Sequence, residues 1–275
     1  MNTDKSTQTI LAMANFIAEQ HPEILLAMAQ KLRIHLAKSV ADFHGNRVAR
    51  GPLKGLLLDA DLHWGEGSDR GAMILGLYEQ EILNLLTEVP AKYRTFIDLG
   101  AADGYYGVGV LINNQFDKSY CYEMTELGRT VIAANATKNG VADKVVIRGK
   151  ADRGFYHDIP AEERNASLVL IDIEGAEFDL VDADTFAAFS DAMIVIETHD
   201  WLVANGAEKM AKLRDDAAKT HRVTEIRMGA RDLSNFLEVY NMPDTQRWLL
   251  CSEGRQRLMT WLRFDPISTG ATTDT

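Results

Sequence analysis

From residue 93 onward, short β-branched and apolar runs alternate with stretches of helical periodicity, and this alternation restricts the fold more than any other feature of the chain. The runs fall at 95–99, 119–123, 144–149, 168–173, 193–197, 223–228 and 258–264, with helical stretches over 126–139, 177–189 and 206–219. Apolar strands in a row need cover on both faces, and intervening helices provide it. The pattern therefore predicts βαβ units and an α/β, doubly wound, mainly parallel sheet over 91–265. Right-handed crossovers then place ligand loops at the carboxyl ends of the strands.

The first 90 residues read differently, as a helical extension or cap. Two helices are expected over 6–44, with Pro22 in the first turn of the second. A Gly/Asp-rich segment, 51–71, follows; its apolar run 56–58 suggests an edge strand, and the segment is placed to close over a site. A third helix is expected over 72–88, stopped by Pro90. The apolar stripe on 24–40 suits packing on the core or a homo-oligomer interface, and 266–275 reads as a disordered tail.

Bulk composition excludes several classes. With 46% hydrophobic and 25% charged residues the chain is an ordinary globular one. A net charge of −11 and the lack of a Lys/Arg run argue against binding to nucleic acid. No stretch approaches 18 uninterrupted apolar residues, so no membrane span is expected. The N-terminus lacks the pattern of a signal peptide, and the two cysteines form neither a metal pair nor a disulfide framework, which suits a cytoplasmic setting.

The richest stretch is TFIDLGAADGYYGVGV, 95–110. A strand ends at Asp98, and Gly100, Ala101, Ala102, Asp103 and Gly104 turn the chain into a helix. The dinucleotide fingerprint needs a second glycine close to the pyrophosphate, but Ala101 and Ala102 occupy that register. Acids at 98 and 103 repel a pyrophosphate and suit an amino acid bearing a sulfonium. Glu123, at the end of the second strand beside Met124, is placed to accept hydrogen bonds from ribose hydroxyls. Asp152, after the third, is placed for an adenine amino group. Three acids after three successive strands point to S-adenosylmethionine.

Residues 93–200 resemble class I methyltransferases, and more narrowly the FkbM-type family. The resemblance rests on DLGAADGYYGVG (98–109), on YEM at Glu123, and above all on LVLIDIEGAEFDLV (168–181). It implies a seven-stranded Rossmann-like sheet whose last two strands form an antiparallel pair. It also implies S-adenosylmethionine as cofactor, with Asp98, Gly100, Glu123 and Asp152 as contacts, and commonly O-methylation of sugar hydroxyls in polysaccharides and natural products.

Methyl transfer from a sulfonium is an in-line displacement, and a hydroxyl acceptor must also lose its proton. Candidates lie where the fourth and fifth strands end. Alternation places Asp172 and Glu174 on one side, Asp172 also facing the cofactor. His199 is the expected general base, with a surface-loop histidine as the alternative. Magnesium is not predicted, although Asp172 or Glu174 with Glu197, His199 or Asp200 would make an oxygen-rich site. Trp64, Tyr105, Tyr106 and Trp201 offer aromatic faces to a sugar, with packing as the competing role. The leading expectation is an O-methyltransferase acting on a small polar acceptor such as a sugar or glycosylated natural product. A NAD-dependent oxidoreductase and a non-catalytic nucleoside-binding scaffold are the alternatives.

Overall fold

The computed structural model describes residues 5–234, 236–255 and 257–267. Its first elements are α1 (Lys5–Gln20), α2 (Pro22–Phe43), α3 (Arg70–Leu75) and α4 (Gln80–Glu88). Then come β1 (Thr95–Leu99), α5 (Tyr105–Ile112), β2 (Lys118–Tyr122), α6 (Glu126–Lys138), β3 (Val145–Arg148), α7 (Ala161–Asn165) and β4 (Ser167–Ile171). The chain continues through α8 (Glu177–Leu180), α9 (Ala183–Ala188), β5 (Met193–Glu197), α10 (Gly206–Ala217), β6 (His221–Arg227), α11 (Asp244–Cys251) and β7 (Thr260–Pro266).

The seven strands form one Rossmann-like sheet in the order β3-β2-β1-β4-β5-β7-β6. β1 to β5 pair in parallel, while β7 lies antiparallel between β5 and β6, so the sheet is mixed. β1 sits between β2 and β4, with Ile97 opposite both Tyr120 and Val169. Strand order reverses there, and ligands collect at such a switch point.

Alternation along the strands divides the interior into two faces. Phe96, Leu168, Leu170, Met193, Val195 and Trp261 join one core with α4, α5 and the second half of α2. Ile97, Leu99, Val169, Ile171, Ile194 and Phe264 join the other, against residues of α8, α9 and α10. The N-terminal extension is thus built into the first core from Leu36 onward. By contrast, no described residue of α1 is buried.

Several boundaries depart from the sequence reading. The single helix expected over 72–88 is two, because Gly76 (φ +69°) ends α3 in the left-handed region and Glu79 (φ +45°) precedes α4 there as well. The stretch 177–189 is likewise broken, since Asp182 caps a new helix by accepting from Thr185 N. Residues 56–58 contribute an isolated bridge, Arg47 to Leu57, in place of an edge strand. Pro266 of the expected tail belongs to β7; residues 268–275 lie outside the described residues. Among the described residues no helix is long and apolar enough to cross a membrane.

Candidate active site

A cavity of about 300 Å³ opens at the carboxyl ends of β1, β2 and β4. Its first wall is the turn from β1 into α5. Gly100 has φ +91°, and a Cβ there would lie 1.8 Å from the carbonyl oxygen of Asp172. Only glycine lets the exits of β1 and β4 approach this closely. Ala102 takes a left-handed conformation (φ +48°) that is unfavourable for a residue with a Cβ, and its N–H donates to Glu123 at 3.1 Å.

Glu123 is buried and anchors this wall. Its other carboxylate oxygen accepts from Thr125 N at 2.7 Å and from the Thr125 hydroxyl at 2.6 Å. The same hydroxyl accepts from Gly128 N at 3.0 Å, capping α6. One carboxylate therefore ties the end of β2 to the turn and to the start of the next helix. Met124, exposed, lines the cavity beside it. Ala101 and Asp103 line it too; burial raises Asp103 above the usual carboxylate range although Arg70 opposes this. Burial also pushes Asp98 up to about 8, and the charges of Asp172, Glu123 and Asp103 add to the effect.

The second wall is made of acids from distant segments. Asp172 and Glu174 follow β4, Glu197 ends β5, and Glu79 comes from the break between α3 and α4. His199 stands among them almost wholly buried. Its Nε2 lies 3.8 Å from Asp172, 3.5 Å from Glu174 and 3.5 Å from Glu197, and its Nδ1 lies 3.4 Å from Glu177. Glu177 is fully buried and accepts from His199 N at 2.7 Å and from Gly175 N at 2.8 Å, which fixes the loop after β4.

These neighbours decide the state of the imidazole. Burial alone would lower His199, but Glu177, Glu197 and Asp172 outweigh it and lift it to about 10. These neighbours favour the protonated ring, an arrangement that suits bracing the carboxylates more than the general-base role expected from sequence.

Arg255 stands behind this wall, donating to Glu79 at 2.5 Å, to Glu197 at 2.5 Å and to Glu253 at 2.8 Å. Burial still pushes Glu79 up to about 8, and it accepts from the Tyr106 hydroxyl at 2.9 Å. Asp172 is raised well above the usual range by burial, with Glu197 adding to it, and burial raises Glu197 as well. Asp172 is the member of this group that both lines the cavity and keeps a buried oxygen, Oδ1, without a hydrogen-bond partner.

Most of the residues singled out from sequence meet in this cavity: Asp98, Gly100, Ala101, Asp103, Glu123, Met124, Asp172 and Glu174, with Trp64, Tyr105 and Tyr106 on its apolar side. Tyr105 is buried and its hydroxyl donates to the Met73 carbonyl. Two do not line it. Asp152 is exposed, because its carbonyl starts the turn that accepts from Phe155 N, and Lys150 and Ala151 take its place on the wall. Trp201 lies outside, with Arg257 over its ring at 5.3 Å. As for a cation, Asp172, Glu174 and His199 bring ligand atoms within 4.8 Å of one another, as do Glu79, Asp172 and Glu197; Asp200 belongs to neither set. Sequence reasoning missed Glu79, Tyr78 and Trp261. The Gly76–Glu79 break was the one available signal.

A scan against protein-family models finds no match, and a search of curated proteins finds none. Solved structures similar to this chain include the ribosomal protein L11 methylase from Lactobacillus delbrueckii subsp. bulgaricus, at 13% identity over 77% of this chain and 84% of that one, with TM-score 0.45. Another is the O-methyltransferase from Bacillus cereus in complex with SAH, at 9% identity over 68% and 80%, with TM-score 0.44. A third is a protein in the NADB-Rossmann superfamily from Streptococcus agalactiae, at 14% identity over 70% and 71%, with TM-score 0.43. Likeness at this distance leaves function to the chemistry of the site itself.

Proposed function

We propose that the chain is an S-adenosylmethionine-dependent methyltransferase that methylates an oxygen of a small polar acceptor, a sugar hydroxyl being the class the FkbM resemblance suggests. The observation that carries this reading is Glu123, buried at the end of β2 and locked across the Gly100 turn of an acid-lined cavity. The donor set fits the cofactor. Glu123 is placed to accept from a ribose diol, and Met124, Ala151 and Tyr122 offer apolar surface to a purine. An ammonium or a sulfonium would favour ionisation of Asp98 and Asp103, whereas, with Lys150 the one cation among the lining residues, a pyrophosphate would find little to offset its charge.

When bound, the cofactor supplies an electrophilic methyl group. The chain's own part is to hold the acceptor in line and to take its proton. Asp172 suits the second task, since it lines the cavity and burial, with Glu197 adding to it, raises its proton affinity. His199 and Arg255 keep the surrounding carboxylates from repelling one another.

Calorimetric titration with S-adenosylhomocysteine, and separately with NAD, tests the reading. Selective micromolar-range binding of S-adenosylhomocysteine is expected. Selective NAD binding would establish the oxidoreductase alternative, and binding of neither would overturn the enzyme reading.

A further inference from the structure

The N-terminal arm is the part of the molecule that its own fold leaves uncovered. α1 runs for 16 residues without burying one of them. His21 N donates to the Ile17 carbonyl at 2.8 Å, so α1 passes into α2 with almost no linker, and burial along α2 begins only at Arg33. Between Ile10 and Leu32, nine large apolar side chains are 37–73% exposed. A helix as short as α1 is marginal in water unless an apolar face is packed. The surface these side chains leave open is roughly 1,000 Å², more than the about 300–600 Å² of the largest apolar patch on a typical monomer and more than the about 800 Å² each partner gives to a standard stable interface.

The pattern of the arm suits a helical partner. Ile10, Met13 and Ile17 on α1, and Leu25, Met28 and Leu32 on α2, step by three and then four residues, as in the seam of helices that pair between chains. The second seam runs on at helical spacing into Leu36, which is buried in the first core. The charge of the arm suits a second copy in particular. The whole chain carries −11, yet over residues 5–32 Lys5 and Lys31 balance Glu19 and Glu23, so two arms meet without net repulsion. The same balance disfavours a lipid surface, where an interfacial helix carries a face rich in Lys and Arg.

Independently of the methyltransferase reading, we propose that the α1–α2 arm is a homodimer interface, the apolar stripe of one copy packing on that of a second across a two-fold axis. Such an interface is self-complementary, and pairing covers on both copies the surface that each leaves open. It is also joined to the cavity. The second half of α2 holds α3 so closely that a Cβ at Gly71 would lie 2.9 Å from Ala37 Cα, and α3 carries Met73 to the apolar side of the site.

Sedimentation equilibrium of the full chain tests the proposal. At micromolar concentration the mass should be twice the 30.6 kDa of one chain. Phe16 and Met28 are 58% and 57% exposed, so charging them leaves the core untouched. The double variant Phe16→Glu with Met28→Glu should keep the near-ultraviolet circular dichroism of the folded body and raise the dimer dissociation constant by roughly hundredfold or more, because pairing then buries unpaired carboxylates. Leu237→Glu, which charges an 81% exposed leucine outside the arm, should leave the dimer intact. A wild-type chain that sediments as a monomer overturns the proposal, and its flotation with phosphatidylcholine–phosphatidylserine vesicles would give the arm to a lipid surface instead. A dimer that survives in the double variant, or that is lost in Leu237→Glu, places the interface elsewhere and overturns it as well.

Discussion

The two walls of the cavity are built over very different chain distances. The turn wall is nearly local: Ala102 reaches Glu123 across 21 positions, and Thr125 reaches it across two. The acid wall is assembled from afar, Arg255 crossing 176 positions to Glu79 and 58 to Glu197. A local wall can be written as a motif, because strand, turn and helix follow one another in a fixed order. A wall made by convergence has no such signature, and the ionisation of each of its members depends on the others. Glu79, Asp172 and Glu197 are all raised, while His199, among the same groups, is raised in favour of its charged form.

If the walls divide their labour in this way, one for the cofactor and one for the chemistry, substitutions should separate. The largest effect is expected from Asp172→Asn. Turnover should fall roughly 10²- to 10⁴-fold, the usual contribution of a proton acceptor, with little change in S-adenosylhomocysteine affinity. Equal losses in both would merge the two walls into one. Gly100→Ala should reduce stability by about 2–4 kcal/mol in urea unfolding, since the added Cβ meets the Asp172 carbonyl and the backbone is left-handed there. An unchanged midpoint would show that the β1 and β4 exits separate freely. Glu123→Ala should weaken S-adenosylhomocysteine by roughly ten- to hundredfold, through loss of charge-assisted bonds of about 1.5–3 kcal/mol, and leave the acceptor KM in place.

Smaller effects sharpen the electrostatic side of the contrast. Asp98 and Glu79 titrate in the fold at about 8, above the 3.8 and 4.5 of free side chains. Their protonation therefore stabilises the fold fully at low pH, and that contribution is lost as pH rises from about 4 to 8. The melting temperature of the ligand-free protein should fall across this window, and Asp98→Asn should raise it at pH 9 relative to wild type. An opposite slope would mean these carboxyls are ionised throughout. His199→Gln should lower turnover less than Asp172→Asn does, and the rate–pH profile should show no limb near 6.5. A limb there that disappears in the variant would restore His199 as the base.

The sequence carried the sheet and the turn wall because both rest on near-neighbour rules. Apolar runs of strand length separated by helical periods leave few arrangements other than a doubly wound sheet. Asp98, Gly100, Asp103 and Glu123 fall at strand ends once those strands are placed. Whether an acid at a strand end faces the cavity, as Glu123 does, or solvent, as Asp152 does, depends on how the following loop turns. Tertiary structure alone decided that Glu79, Arg255 and Trp261 share the site, since a helix break, a long insert and the antiparallel β7 bring them there. It also decided that His199 is surrounded by groups that favour its protonated form, because proton affinity is set by burial and by the carboxylates within about 4 Å, and the sequence does not specify which ones those are.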